Sequence, residues 1–243
     1  MEQELNHQTT KPLNHQTTKP PNHQTTKRPN YIDFHAHHPS LNGERVIQDG
    51  VDTQGRHPWG PLPSPPHKGG SKFYPPSLGG DRGRLIAIGE SGLDRLCDMP
   101  YDLQLQVFRE EVSLSEELQK PLFLHCVRAI DDVLRIRKEL NARQPWIWHG
   151  YRGNAQQLQQ LLSLPPMGEA GKGAFYFSFG LKFNTEALLA CPLDHLLLET
   201  DDDTTTPIAD LYAQVAQLRG ISLDTLIRQM HDNFRTLFGT LSS

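Results

Sequence analysis

From residue 84 onward the chain alternates short apolar runs with segments of helical period. RLIAIGE (84–90), PLFLHCV (121–127), PWIWHG (145–150), AFYFSFG (174–180) and HLLLETD (195–201) are apolar at nearly every position, as strands buried on both faces must be. YIDFH (31–35) has the same character. Between them, 102–119 places Leu103, Val107, Phe108, Val112 and Leu118 close to helical spacing, and 129–140 does so with Ile130, Val133, Leu134 and Leu140. Residues 154–164 form a helix opened by an Asn cap, 184–191 a short one, and 207–219 and 222–238 two closing helices, the last opened by Ser222.

Strand–helix alternation of this kind predicts a parallel sheet with crossover helices. Six strands are clear, with cores YIDFH, AIG, FLH, WIWH, FYFSF and LLLET, and VDTQGRHP (51–58) is a weaker seventh. The expected fold class is α/β, a TIM-type (β/α)8 barrel incomplete around its second and third strands. An open doubly wound sheet is the rival.

Two stretches break the rhythm. NHQTTKP occurs at 6–12 and again at 14–20, and NHQTTK at 22–27, a period of eight with one histidine per copy (His7, His15, His23). A solenoid needs apolar positions in every turn and these have none, so 1–29 is expected to be a disordered tail. In 60–83, half of the 24 residues are Gly or Pro. That composition excludes a helix or a central strand and predicts a loop or low-complexity insertion within a domain spanning 30–243.

Composition narrows the function classes. Of 243 residues, 36% are hydrophobic and 21% charged, with a formal net charge of −4. A protein gripping long duplex nucleic acid normally carries a basic excess, so a nucleic-acid substrate would be held at few phosphates in a local pocket. No run approaches a membrane span, and MEQELNHQTT lacks the apolar core of a signal peptide. Three cysteines (Cys97, Cys126, Cys191) without CxxC spacing predict buried thiols in a reducing, cytoplasmic compartment.

The chemistry lies at the C-terminal ends of the expected strands. The first ends in His35 and His37, the weak one in His57, and the others in Glu90, His125, His149 and Glu199 with Asp201. In a parallel barrel these ends converge on the face that carries the active site. His35 and His37 are two apart on an extended segment, so both imidazoles point to one side. A lone histidine in an apolar strand is ordinarily a hydrogen-bonded core residue, and a lone carboxylate a cap or ion-pair partner. Here metal-type residues close nearly every strand, and coordination compensates the burial of so many polar groups. Four imidazoles and two carboxylates suffice for two ions sharing a bridging carboxylate.

IDFHAH, HPW, IGESGLD, PLFLHC, WHGYRG, FSFG, ETD and NFRTLF occur in series between residues 31 and 240. In this the chain resembles the TatD family of metal-dependent hydrolases, with IGESGLD and ETD the specific pieces. The resemblance implies that His35, His37 and Asp201 bind one divalent ion (magnesium, manganese or zinc), His125 and His149 a second, and that Glu90 bridges both. It implies a deoxyribonuclease that removes nucleotides from the 3′ ends of DNA, with single strands or ends as substrate. Catalysis falls to Asp201 as general base, with Glu90, while His57 touches the phosphate or leaving group.

Arg128, Arg152 and Lys182 each follow a strand end and are candidate phosphate contacts, although each also reads as a solvated loop charge. Asp33 is expected to orient the first ligand strand or an imidazole, Asp202 and Asp203 to be solvated, and His38 to point away from His37 with no role. Family members place a strand between HxH and HPW and a helix between HPW and IGE. Here the first is squeezed into 40–53, and 60–83 replaces the second. The rival readings are a hydrolase of another small ester or amide on the same barrel, and a degenerate, inactive barrel.

Overall fold

Eight parallel strands organise the chain in a computed structural model that describes residues 31–41, 43–49, 51–55, 85–165 and 174–239. The NHQTTKP repeats, His57 and the Gly/Pro-rich stretch 60–83 lie outside the described residues. The strands are β1 (Ile32–Ala36), β2 (Arg45–Gln48), β3 (Thr53–Gln54), β4 (Ala87–Asp94), β5 (Leu122–Val127), β6 (Trp146–Trp148), β7 (Phe175–Phe179) and β8 (Leu196–Leu198). β3 to β8 form one ladder in sequence order, and β1 pairs with β2 in a second. Isolated parallel bridges join the two at both seams, Ala36 to Asp201 after β8 and Asp49 to Thr53 before β3. The strands thus follow one another around a ring of the TIM type, but the ladder is not continuously closed.

The helices are α1 (Tyr101–Leu118), α2 (Ile130–Glu139), α3 (Ala155–Leu162), α4 (Thr185–Ala190), α5 (Ile208–Arg219) and α6 (Leu223–Phe238). Each of β4 to β7 is followed by one helix and β8 by two. Among the described residues no helix follows β1 or β2, so the incompleteness expected around strands 2 and 3 takes the form of missing crossover helices rather than a missing stave. β2 lies within 40–53, where the strand between HxH and HPW was expected to be squeezed, but its own residues gave no strand pattern. Only Ile47 of its four residues is buried, so it carries too little apolar pattern to be recognised.

Caps fix the helix starts where the sequence places them. Asn154 accepts from the backbone N–H of Gln157 at 2.8 Å, while the Gln157 side chain accepts from the Asn154 N–H, a reciprocal capping box. Asn184 and Ser222 accept from Ala187 and Thr225 in the same manner. The core is aromatic: Phe34, Phe123, Trp146, Phe177 and Phe179 are fully buried.

Two polar anchors hold the strands that matter for function. The Tyr212 hydroxyl of α5 donates to Ile32 O at 2.7 Å and accepts from Ile32 N–H, tying α5 to β1. The Asn233 amide of α6 donates to Leu193 O and Leu196 O, both at 2.8 Å, and so fixes the start of β8.

β4 departs from expectation by starting at Ala87 and running four residues past Glu90. Its pairing with β5 contains a bulge: Ile88 faces Leu122 and Ser91 faces Leu124, three steps on one strand against two on the other. A bulge re-aims one side chain of a strand, and the residue it contains is Glu90. Beyond it, Gly92 lies so close to His125 that no side chain fits between the strands.

Candidate metal centre

Glu90 is the hub. Its side chain is fully buried at the C-terminal ends of the strands, and its two oxygens face different imidazole pairs. Oε1 is 2.9 Å from His125 Nδ1 and 2.9 Å from His149 Nε2. Oε2 is 3.1 Å from His35 Nε2 and 3.5 Å from His37 Nε2. Asp201 completes the second side, its Oδ1 3.4 Å from His37 Nε2 and 3.8 Å from His35 Nε2.

Backbone hydrogen bonds place Asp201 there. Its N–H donates to His35 O at 3.0 Å, and its carbonyl accepts from His37 N–H at 3.1 Å. Asp201 has φ +58°, and Arg128 and Gly150, just past β5 and β6, are also left-handed (+53° and +55°). Asp tolerates this conformation better than most residues, and strained backbone of this kind clusters at functional sites.

The structure therefore brings together all six residues expected as ligands: His35, His37, Glu90, His125, His149 and Asp201. Their donor atoms form overlapping groups of metal-ligating type, His35/His37/Glu90, His35/His149/Asp201 and Glu90/His125/His149, each within 4.8 Å. The cluster fits divalent cations on chemical grounds. His125 Nδ1 and His149 Nε2 lie 3.0 Å from each other and each 2.9 Å from one carboxylate oxygen, the arrangement of a cation's donor set. Oxygen and imidazole donors suit Mg, Mn or Zn.

Electrostatics point the same way. Burial alone would push the Glu90 carboxyl up, but the charge of His149 and hydrogen bonds from His125, His149 and His35 hold it well below the usual carboxylate range. Burial likewise opposes charge on His149, yet Glu90 and Glu199 hold its imidazole well above the ordinary value. Hydrogen bonds to Asp201 and Glu90 push His37 up to about 10. A cation bound among these groups would compete with the protons that these shifts favour.

Three carboxylates absent from the expected ligand set stand behind the imidazoles. Asp94 Oδ2 is 3.3 Å from His125 Nε2, Glu199 Oε1 3.5 Å from His149 Nδ1, and Asp49 Oδ2 3.7 Å from His37 Nδ1. Asp94 closes GLD and Glu199 opens ETD, so both lie within recognisable motifs, but no spacing rule links either to its histidine. Asp49 also accepts from the Glu90 N–H at 3.2 Å, and nothing in its sequence surroundings marks it.

Asp33 Oδ1 accepts from the His35 N–H at 3.4 Å, in keeping with its expected role of orienting the first ligand strand, and it has a further partner. It accepts from Thr200 N–H at 3.0 Å and Thr200 Oγ1 at 2.5 Å, holding the ETD segment against β1. Burial pushes its carboxyl up to about 6, against those hydrogen bonds. His38, expected to have no role, is buried, with Nε2 3.1 Å from both Thr200 Oγ1 and Asp203 O. It is a strut for the same segment and is no part of the cluster. Asp203 Oδ1 accepts from Thr205 and Thr206 N–H, which organises its own turn, while Asp202 is exposed with Oδ1 4.0 Å from His37 Nε2.

Two clefts open beside the cluster. One, of about 550 Å³, is lined by His125, Arg128, Trp148, His149, Tyr151 and Arg152 among others. The second, of about 370 Å³, is lined by Arg152, Lys182, Glu199, Asp201, Asp202 and Asp203 among others. Asp201, Gly150 and Arg152 belong to both. The three candidate phosphate cations are all exposed and all line these walls.

Parallel strands that gather imidazoles and carboxylates at their C-terminal ends define a metal-binding α/β barrel. The family model of TatD related DNases matches residues 78–239, 162 of the 243, and the chain belongs to this family. That match begins after His35 and His37, whose place in the cluster rests on the geometry. The chain is 29% identical over 176 residues to the metal-dependent hydrolase YabD of Bacillus subtilis, covering 64% of this chain and 66% of that one. It is 31% identical over 175 residues to the 3′-5′ ssDNA/RNA exonuclease TatD of Klebsiella pneumoniae, again 64% of this chain and 66% of that one. The chain thus spans just under two thirds of the length of these relatives. The crystal structure of YjjV, a TatD homolog from Escherichia coli, shares the fold with a TM-score of 0.54 and 23% identity, covering 65% of this chain and 66% of that one. Among the described residues no helix is long and apolar enough to cross a membrane.

Proposed function

We propose that the chain is a metal-dependent phosphodiester hydrolase, a deoxyribonuclease working from 3′ ends of single-stranded DNA with two divalent cations. The observation that carries the reading is the division of Glu90 between two imidazole pairs, Oε1 to His125 and His149 and Oε2 to His35 and His37. In this reading His35, His37 and Asp201 hold one cation, His125 and His149 the other, and Glu90 both. Bound there, the cations supply charge neutralisation and lower the pKa of an attacking water.

The protein does the rest. Asp201, one third exposed and shared by both clefts, takes the proton from that water as general base. Opposing hydrogen bonds and charges hold its carboxyl below the ordinary range despite burial, so it is ionised and ready to accept. Arg128, Arg152 and Lys182 hold phosphates along the two walls, which fits a net-acidic chain that grips few phosphates at once. His57 completes the set at the phosphate or leaving group. Support for nucleic acid comes from relatives named as nucleases, among them the Klebsiella exonuclease. Three cysteines without CxxC spacing support a cytoplasmic location.

The test is release of nucleotides from 3′-labelled single-stranded DNA with manganese, wild type beside Glu90→Ala. The variant is expected to lose at least about 100-fold in rate, the lower range for a group acting directly in catalysis. Equal activity in both refutes the site. No activity in either, with manganese bound, favours hydrolysis of another ester or amide.

A further inference from the structure

The carboxylates behind the imidazoles are not distributed evenly, and the asymmetry distinguishes the two halves of the cluster. Both imidazoles on the Oε1 side are backed. His125 Nε2 meets Asp94 Oδ2, and His149 Nδ1 has Glu199 Oε1 in reach at 3.5 Å, without a well-formed hydrogen bond. On the Oε2 side, His37 Nδ1 has Asp49 Oδ2 only at 3.7 Å, and His35 Nδ1 is buried with no hydrogen-bond partner among the described residues. The same side carries the more exposed groups, His37 at 30% and Asp201 at 32%, against 13% for His125 and 7% for His149.

The backing carboxylates are themselves held. Asp94 Oδ1 accepts from Leu96 N–H at 2.7 Å, and the Asp94 N–H donates to Gln104 Oε1 at 2.7 Å. That leaves Oδ2 for the imidazole. Glu199 is fully buried, and its Oε1 accepts from Gly150 N–H at 2.5 Å.

We propose that Asp94 and Glu199 are positioning residues that fix His125 on Nδ1 and His149 on Nε2, making the His125/His149 side the tighter of two unequal cation sites. The inference rests on the two-cation reading above. A carboxylate behind a ligating imidazole fixes its tautomer and raises its basicity, and losing one lowers metal affinity by about 10–100-fold. The His35/His37/Asp201 side fills second and empties first.

The two residues differ in what an amide would do. In Asp94→Asn the Leu96 N–H keeps the amide oxygen at the Oδ1 position, so the NH2 group turns toward His125 Nε2, donor against donor. In Glu199→Gln the Gly150 N–H keeps the oxygen at the position facing His149, so the acceptor survives and only the charge is lost. Asp94→Asn is therefore the stronger perturbation.

The experiment is calorimetric titration of the metal-stripped full chain with Mn²⁺ and, in parallel, with Co²⁺ followed by its visible absorption. Wild type is expected to bind in two steps. Asp94→Asn should weaken the tighter step by about 100-fold and Glu199→Gln by about 10-fold, the ends of the outer-shell range. The weaker step should stay in place, and the absorption of the first Co²⁺ equivalent should shift. His35→Asn should remove the weaker step and spare the tighter. Two equal steps in wild type overturn the proposal, as do variants that weaken both steps alike or neither. No binding by wild type overturns the two-cation reading itself. A variant that fails to fold, judged by circular dichroism, leaves the other two variants to decide.

Discussion

Gly92 should be the most sensitive glycine near the cluster, and the reason lies in the distance between two strands. A Cβ built on Gly92 would lie 1.8 Å from His125 O, 2.7 Å from its carbonyl carbon and 3.0 Å from its nitrogen. Real Cβ contacts essentially never fall below 3.0 Å, so Gly92→Ala requires the strands to separate by about 1.2 Å. The atoms in the way are backbone and cannot rotate aside. Overpacking costs about 1–3 kcal/mol, and a clash with backbone belongs at the upper end. The residue pushed is His125, whose Nδ1 sits 2.9 Å from Glu90 Oε1. A displacement of about 1 Å at a reacting group costs on the order of 100-fold in rate. The matched control is Gly180→Ala, also beside the cluster, where the new Cβ meets Glu199 at 3.8 Å, ordinary contact. Urea unfolding and manganese titration of both variants form the assay. Gly92→Ala should lose about 3 kcal/mol and most of its tight manganese binding, while Gly180→Ala stays within about 0.5 kcal/mol of wild type. Wild-type stability and metal affinity in Gly92→Ala, or equal losses in both variants, would refute the argued strand contact.

Tyr212→Phe removes the hydroxyl that donates to Ile32 O and accepts from Ile32 N–H, and should cost about 1–3 kcal/mol, read as a shift in the urea midpoint without change in slope; an unchanged midpoint would mean that β1 is held otherwise. In chelator, melting temperature should fall as pH rises from 7 toward 10. His37 is raised from 6.5 to about 10 by Asp201 and Glu90, so its contribution is fully present below pH 6.5 and lost as pH passes about 10. Glu90 and Asp201, both lowered, act at the opposite end, where stability is present above their ordinary values and lost as pH falls into the acid range. His37→Asn should flatten the alkaline limb and, because His37 also helps hold Asp201 low, soften the acid limb; an alkaline limb identical to wild type would contradict the assignment.

The parts of the fold legible in the sequence were those that bury both faces. β5, β6, β7 and β8 are apolar at nearly every position, and helices after them carry caps at Asn154, Asn184 and Ser222 that mark the starts. β2 and β3 were less legible because they carry little pattern: Ile47 alone is buried in β2, and β3 is only two residues long. The expected strand ended at Glu90, and glycines stand at 89 and 92. In the structure they are what lets β4 continue, since only a residue without Cβ fits against Phe123 and His125.

The six cluster residues were legible because topology does the aiming: each was expected near the C-terminal end of a strand, and parallel strands end on one face. The supporting residues obey no such rule. Asp33 reaches Thr200 across 167 positions, His38 reaches the same residue across 162, and Asp94 reaches His125 across 31. These are contacts of tertiary closure, and a carboxylate near a histidine in space leaves no periodic trace in the chain. That division has a physical consequence for the opening histidines. His35 lies near the end of its strand and faces Glu90, whereas His38, three positions on and also buried, turns to Thr200 and braces the loop that carries Asp201. Replacing His35 takes away a donor of the cluster directly. Replacing His38 acts through the position of Asp201, and so through the general base, with the donor set of the Oε1 side left whole.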